Sequence, residues 1–186
     1  IKSVIPLHQN SQAFHETIVC ILSKMSSFGS DSIERDADTF LFVSGNTMRA
    51  YPSSAIIALH GCRCLANVYS ELKKRGIYDA ADCADCIPEI ISCMDTFQEQ
   101  GIIIQSEACA ALSAICRESP ADKERVQQLG GIDRIIRAYD SYSMSPFEDH
   151  FLAAKIRACV ALTTLAVDPI ILSDIREKGI IAKFER

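Results

Sequence analysis

The chain has 186 residues, 48% of them hydrophobic and 23% charged, with a formal net charge of −5. That length suits one sizeable core or a short repeat array, and the composition is that of ordinary globular proteins. The acid excess argues against a general affinity for nucleic acid or anionic membrane, and no apolar run approaches the roughly 18 residues of a membrane span.

Taken in chain order, Ser11 to Ser27 reads as a long helix. Asp31 to Asp36 reads as a short helix before a middle one, Phe40 to Tyr51, which Gly45 and Asn46 weaken. Ser53 to Arg75 is a second long helix. Ala80 to Asp85 is short. Ile87, Ile90, Ile91 and Met94 then share one face of a medium helix with Pro88 in its first turn, and Gly101 to Arg117 is long. The next unit is the clearest. Ser119-Pro120 starts a short helix that ends at Leu129, and Gly130-Gly131 breaks the chain. Ile132, Ile135, Ile136 and Tyr139 line a medium helix. A polar loop from Asp140 to Pro146 leads to a long helix carrying Ala158 and Leu162. Pro169 to Lys178 is a short helix, and Gly179 to Phe184 opens another.

The long helices repeat one another. With Leu65, Leu112 and Leu162 in register, the separations are 47 and 50 residues. The position four before each Leu is small (Gly61, Ala108, Ala158), the next is Cys (Cys62, Cys109, Cys159), and the position three after is aliphatic (Val68, Ile115, Leu165). Helical units at such a period stack into a solenoid, because no unit can bury its apolar faces alone. The small residues are expected to let helices of adjacent units approach closely. The expected units are 1–28 (partial), 31–75, 78–118, 120–167 and 169–186 (partial), all within one domain spanning 1–186. Both ends cut a unit and there is no initiator Met, so a longer native solenoid is expected. Without it, Ile5, Leu7, Ile180, Ile181 and Phe184 would lack their neighbours and favour association through the ends. Ile1 to Leu7 do not follow a signal-peptide pattern.

The run Ile104-Gln105-Ser106-Glu107-Ala108-Cys109-Ala110-Ala111-Leu112, followed by Lys123 to Gly130-Gly131-Ile132, resembles the armadillo repeat. That family carries an aliphatic-Gln-x-x-Ala-x-x-Ala-Leu run and then a Gly-Gly-Ile turn. The Met-x-x-aromatic step before the long helix (Met48/Tyr51, Met94/Phe97) is similar to the longer, irregular armadillo repeats of leucine-rich-repeat kinases and protist proteins. HEAT repeats are the near alternative, with two helices and no Gly-Gly break. The resemblance implies an all-α, right-handed α-solenoid of armadillo-like three-helix repeats.

Chemistry-bearing motifs are sparse. Cys62-x-Cys64 with Cys83-x-x-Cys86 offers four thiolates to zinc. Repeat equivalence explains the first pair without a metal, since Cys62 matches Cys109 and Cys159 while Cys64 matches Ala111 and Ala161. Cys62, Cys109 and Cys159 are therefore expected to be buried, reduced and metal-free. Nine cysteines, an odd number and too few for a disulfide scaffold, fit a reducing compartment, cytoplasmic or nuclear. There is no nucleophile elbow, phosphate-binding loop or His-Glu-x-x-His, and His15 and Cys20 sit poorly for pairing on one helix, so no enzyme and no cofactor are expected. Lys73-Lys74-Arg75 ends a long helix, where cations complement the helix dipole; this is the reading preferred over nucleic-acid contact.

The resemblance further implies a peptide-binding groove along the long helices. In importin-type members a Trp, with an Asn four residues later, forms the ladder there. The Trp positions fall on Cys20, Arg63, Ala110 and Val160, and the Asn positions on Lys24, Asn67, Ala114 and Thr164. Only Asn67 matches, so import-signal recognition is not expected. The groove instead collects Lys24, Arg63, Arg117 and Arg157, with Glu107 and Glu16 nearby. The expectation is a protein-interaction scaffold taking an extended or helical acidic segment of a protein or peptide partner, with no small-molecule substrate, at Lys24, Arg63, Asn67, Ala110, Ala114, Arg117, Arg157, Val160 and Thr164. The alternative is an architectural or regulatory solenoid, packed on other domains of a larger protein, whose groove is idle.

Overall fold

A computed structural model describes residues 10–28, 31–76, 86–99, 101–141 and 149–180, and all side chains within them except those of 31, 32, 34, 149 and 150. Among these residues there are nine helices and no strand: α1 (Gln12–Ser27), α2 (Asp31–Ala50), α3 (Ala55–Lys74), α4 (Ile87–Thr96), α5 (Ile102–Cys116), α6 (Pro120–Gln128), α7 (Gly131–Ser141), α8 (Asp149–Leu165) and α9 (Pro169–Glu177). The expected short helix at 80–85, most of the loop after Asp140, and Ile5, Leu7, Ile181 and Phe184 lie outside the described residues.

Helix starts follow local chemistry. Ser11, Ser54 and Ser119 are N-caps whose hydroxyls accept from Phe14, Ile57 and Asp122, and the Asp168 carboxylate accepts from Ile170 and Ile171. Pro120 and Pro169 open α6 and α9, where the missing N–H costs nothing. Gly130 turns the chain from α6 into α7 with φ of 70°, a left-handed conformation that a side chain would resist.

The four long helices α1, α3, α5 and α8 stack side by side in that order and form one layer. α2, α4 and α7 cover their other side, each packing on the long helix that follows it, with α6 wedged beside α5 and α7 and α9 against α8. Leu65, Leu112 and Leu162 are all buried in the continuous core between the layers, as are Val68, Ile115 and Leu165. Within that core the Gln105 side chain donates to the Met94 carbonyl at 2.6 Å and ties α5 to α4. Among the described residues no helix is long and apolar enough to cross a membrane.

Four expectations need correction. The stretch 31–50 is one helix, α2, of 20 residues, not a short and a middle one. Nothing between Asp36 and Phe40 breaks a helix, and Gly45 lies inside it because a Cβ there would come within 2.8 Å of Cys86 Sγ. Gly61 does not serve an adjacent unit: its missing side chain makes room for Met48 of α2, whose Cγ would stand 2.7 Å from an added Cβ. Cys159 is only half-buried, whereas Cys62 and Cys109 are buried. Ile180, expected to be uncovered, is buried.

Candidate functional site

The candidate site is the face of α1, α3, α5 and α8 turned away from the second layer. At its centre stands Glu107 of α5, whose side chain is only 7% exposed. Nε and Nη2 of Arg63 on α3 donate to Glu107 Oε1 at 3.1 and 2.8 Å, and Nη1 of Arg157 on α8 meets Oε2 at 2.9 Å. The Arg157 guanidinium also reaches Ser106 Oγ at 3.4 Å. One carboxylate thus staples three successive long helices. The shared pair is charge-assisted on both sides, and the second guanidinium leaves a net positive charge at the surface.

The other polar residues of the face also link neighbours. Asn67 donates to Ser26 Oγ and Ser27 Oγ of α1 at 3.2 and 3.1 Å. Thr164 Oγ1 and Ser113 Oγ are 3.1 Å apart. Glu16 accepts from Ser54 at 2.8 Å, and this bond with the one from Gln12 holds its carboxyl below the ordinary range. At the far end of α3, Lys73 donates to the Ile115 carbonyl, an end group of α5 with no partner in its own helix. Burial, ahead of the surrounding charges, lowers the Lys73 ammonium's pKa. Lys73 thus serves the neighbouring helix as well as its own dipole.

The nine expected groove residues therefore divide. Arg63, Asn67, Arg157 and Thr164 lie on the face but are engaged by neighbouring helices. Ala114 is 3% exposed and offers a ligand almost nothing. Lys24 and Arg117 are exposed, Ala110 is half-buried and Val160 is 44% exposed. Ile21 and Met25, beside Lys24 on α1, are exposed as well. The expected basic row is thus partly neutralised, because Glu107, one helical turn before Ala110, lies between two of its arginines.

Sequence reasoning missed a pair on this same face. Cys20 Sγ of α1 lies 3.2 Å from His60 Nε2 of α3. The partners are 40 positions apart, and only the stacking of α1 on α3 joins them. Burial foremost, then the charges of Arg63 and Lys24, depress the His60 pKa, with Glu107 opposing. That shift favours the neutral ring.

The cysteines of the zinc alternative separate. Cys62 hydrogen-bonds toward Cys93 of α4, while Cys64 is close to Ser44 and Ser26; Cys83 lies outside the described residues. Among the described residues no group of three or more His, Cys, Asp or Glu stands ready for a metal ion. An apolar hollow of about 380 Å³ opens between the starts of α3 and α5, lined by Ile56, Leu59, Ile102 and Ile103 with Glu99 at its rim.

Compared with protein-family models, with curated proteins and with solved structures, the chain finds no match.

Proposed function

We propose that this chain is a right-handed, armadillo-like α-solenoid that acts as a protein-interaction scaffold and not as an enzyme. The observation that carries the reading is the serial stack of long helices with a common open face. On that face Lys24, Arg117 and the second guanidinium over Glu107 supply positive charge on an acidic molecule, beside exposed Ile21, Met25 and Val160. Such a surface suits an extended or helical segment with acidic and apolar side chains. Single rim charges contribute only about 0.2–1 kcal/mol, so several act together. Buried free thiols fit a reducing compartment, cytoplasmic or nuclear.

The test places a photo-reactive amino acid at Ala110 or Val160, and separately at Ser92 on α4 as an outer control. A partner captured from the inner positions alone, and lost on joint Lys24→Glu and Arg117→Glu substitution, supports the scaffold. Equal capture from Ser92, or capture that survives the charge reversal, overturns it.

The second reading is an architectural solenoid with an idle face. It is favoured by Arg63, Asn67, Arg157 and Thr164, which serve internal links. It expects no capture from either inner position.

A further inference from the structure

We propose that Cys20 is a site of thiol–disulfide exchange with small anionic disulfides, with His60 as its proton acceptor and Lys24 and Arg63 as its charge complement. The proposal does not depend on whether the face binds a protein partner.

Three observations converge on this thiol. First, Cys20 is partly exposed, whereas Cys62, Cys64, Cys86, Cys93, Cys109 and Cys116 are buried. Burial pushes the Cys109 and Cys116 thiols up to about 12 and Cys64 to about 11, which removes the nucleophilic thiolate at neutral pH. Cys159 shares the partial exposure, but burial raises its pKa too.

Second, an imidazole nitrogen, His60 Nε2, lies 3.2 Å from the Cys20 sulfur. The depressed pKa favours a neutral His60 ring, and in its Nδ1–H tautomer Nε2 accepts the S–H. Nδ1 is buried with no hydrogen-bond partner. That leaves the ring unanchored by any second group and engaged with the thiol alone.

Third, both cations within electrostatic reach of His60 lie on this face. Lys24 is one helical turn beyond Cys20, and Arg63 is one turn beyond His60. Arg63 is partly engaged by Glu107, but Lys24 is exposed. Positive charge there attracts a carboxylate-bearing disulfide and offsets the negative charge spread over three sulfurs during exchange.

Cys20 Sγ attacks one sulfur of the disulfide as its proton passes to His60 Nε2. A new S–S bond forms, the original S–S bond breaks, and its electron pair leaves on the departing thiolate. That thiolate takes the proton from His60. The Cys20 sulfur is oxidised to disulfide level, one reagent sulfur stays at that level in the mixed disulfide, the other is reduced to the free thiol, and His60 is restored.

The experiment uses the native chain with two aromatic disulfides, dianionic dithiobis(nitrobenzoate) and neutral dithiodipyridine, and maps modified cysteines by mass spectrometry. Cys20 should react faster than Cys109 and Cys159 with both. Lys24→Gln, an exposed substitution, should slow the anionic reagent roughly two- to five-fold at low salt and leave the neutral one nearly unchanged. His60→Phe should slow both reagents about ten-fold while circular dichroism remains helical. The proposal is overturned if Cys20 reacts no faster than Cys159, if Lys24→Gln leaves the ratio of the two reagents' rates unchanged, or if folded His60→Phe reacts like wild type.

Discussion

Arg63 and Glu107 stand 44 residues apart in the chain, yet two nitrogens of one guanidinium converge on a single carboxylate oxygen at 3.1 and 2.8 Å. Because Arg157 holds the other oxygen, Glu107 is the common anchor of α3, α5 and α8. Glu107→Gln should destabilise the chain by about 1–3 kcal/mol, since it removes the charge from a buried acceptor that serves two donors. Arg63→Ala should cost less, because the arginine is partly exposed. Urea unfolding of the single and double Ala variants checks this. Additive losses at Arg63 and Glu107 would show the two to be uncoupled. Arg63→Glu sets two carboxylates together and should cost more than Arg63→Ala.

Gly61→Ala should destabilise by about 1–3 kcal/mol, with the lower end expected because Met48 is flexible at the point of conflict. Pairing it with Met48→Leu should alter the loss, whereas pairing it with a distant Ile175→Val should simply add. Thermal unfolding of the three single and two double variants reads the difference.

Raising the pH should weaken the fold through the buried thiols. Cys109 and Cys116 titrate near 12 and Cys64 near 11 in the folded chain, against an ordinary 9.0. A raised folded value means the unfolded chain gives up these protons first. Their stabilising contribution is whole below pH 9 and is lost as pH rises from there through 11 and 12. Each thiol adds up to about 1.4 kcal/mol of loss per pH unit in that window. Cys109→Ala, itself costing about 1 kcal/mol, should flatten the decline measured by urea unfolding between neutral pH and pH 10.5. An unchanged slope would place the Cys109 thiol in contact with water.

On the second layer Arg134 of α7 forks onto Asp95 of α4, with Nη2 at 2.9 Å from Oδ2, and Arg137 adds a bond at 3.1 Å. The Arg134 hydrogen bonds lower the Asp95 pKa. A depressed carboxylate contributes stability above its ordinary range and loses it as pH falls through the folded value. The pair is partly exposed, so Asp95→Asn should cost only about 0.2–1 kcal/mol, and that difference should shrink in acid and in high salt.

Much of the framework is local and was therefore readable from the chain. The helix starts at Ser11 and Ser119, the prolines at 120 and 169, and the leucine register each depend on neighbours within one or two turns. The continuity of α2 was obscured by Gly45, whose place is dictated by Cys86 some 41 positions later. The face was legible as a set of positions but not as a charge pattern. Whether Arg63 points to solvent or to Glu107, and whether Cys20 meets His60, depends on how stacked helices are rotated against one another. No periodicity within a single helix carries that information.

The order α1, α3, α5, α8 has a mechanical consequence. Each long helix leans chiefly on the ones before and after it, so tension applied along the stack is borne seam by seam. The seam between α3 and α5 holds a guanidinium–carboxylate pair and a lysine seated on a helix end. Among the described residues, α1 meets α3 through hydrogen bonds and apolar contact without an ion pair. The molecule should therefore behave like a leaf spring of unequal leaves: pulled end to end, the α1 seam is expected to part first, with the Glu107 anchor keeping the remaining three leaves together.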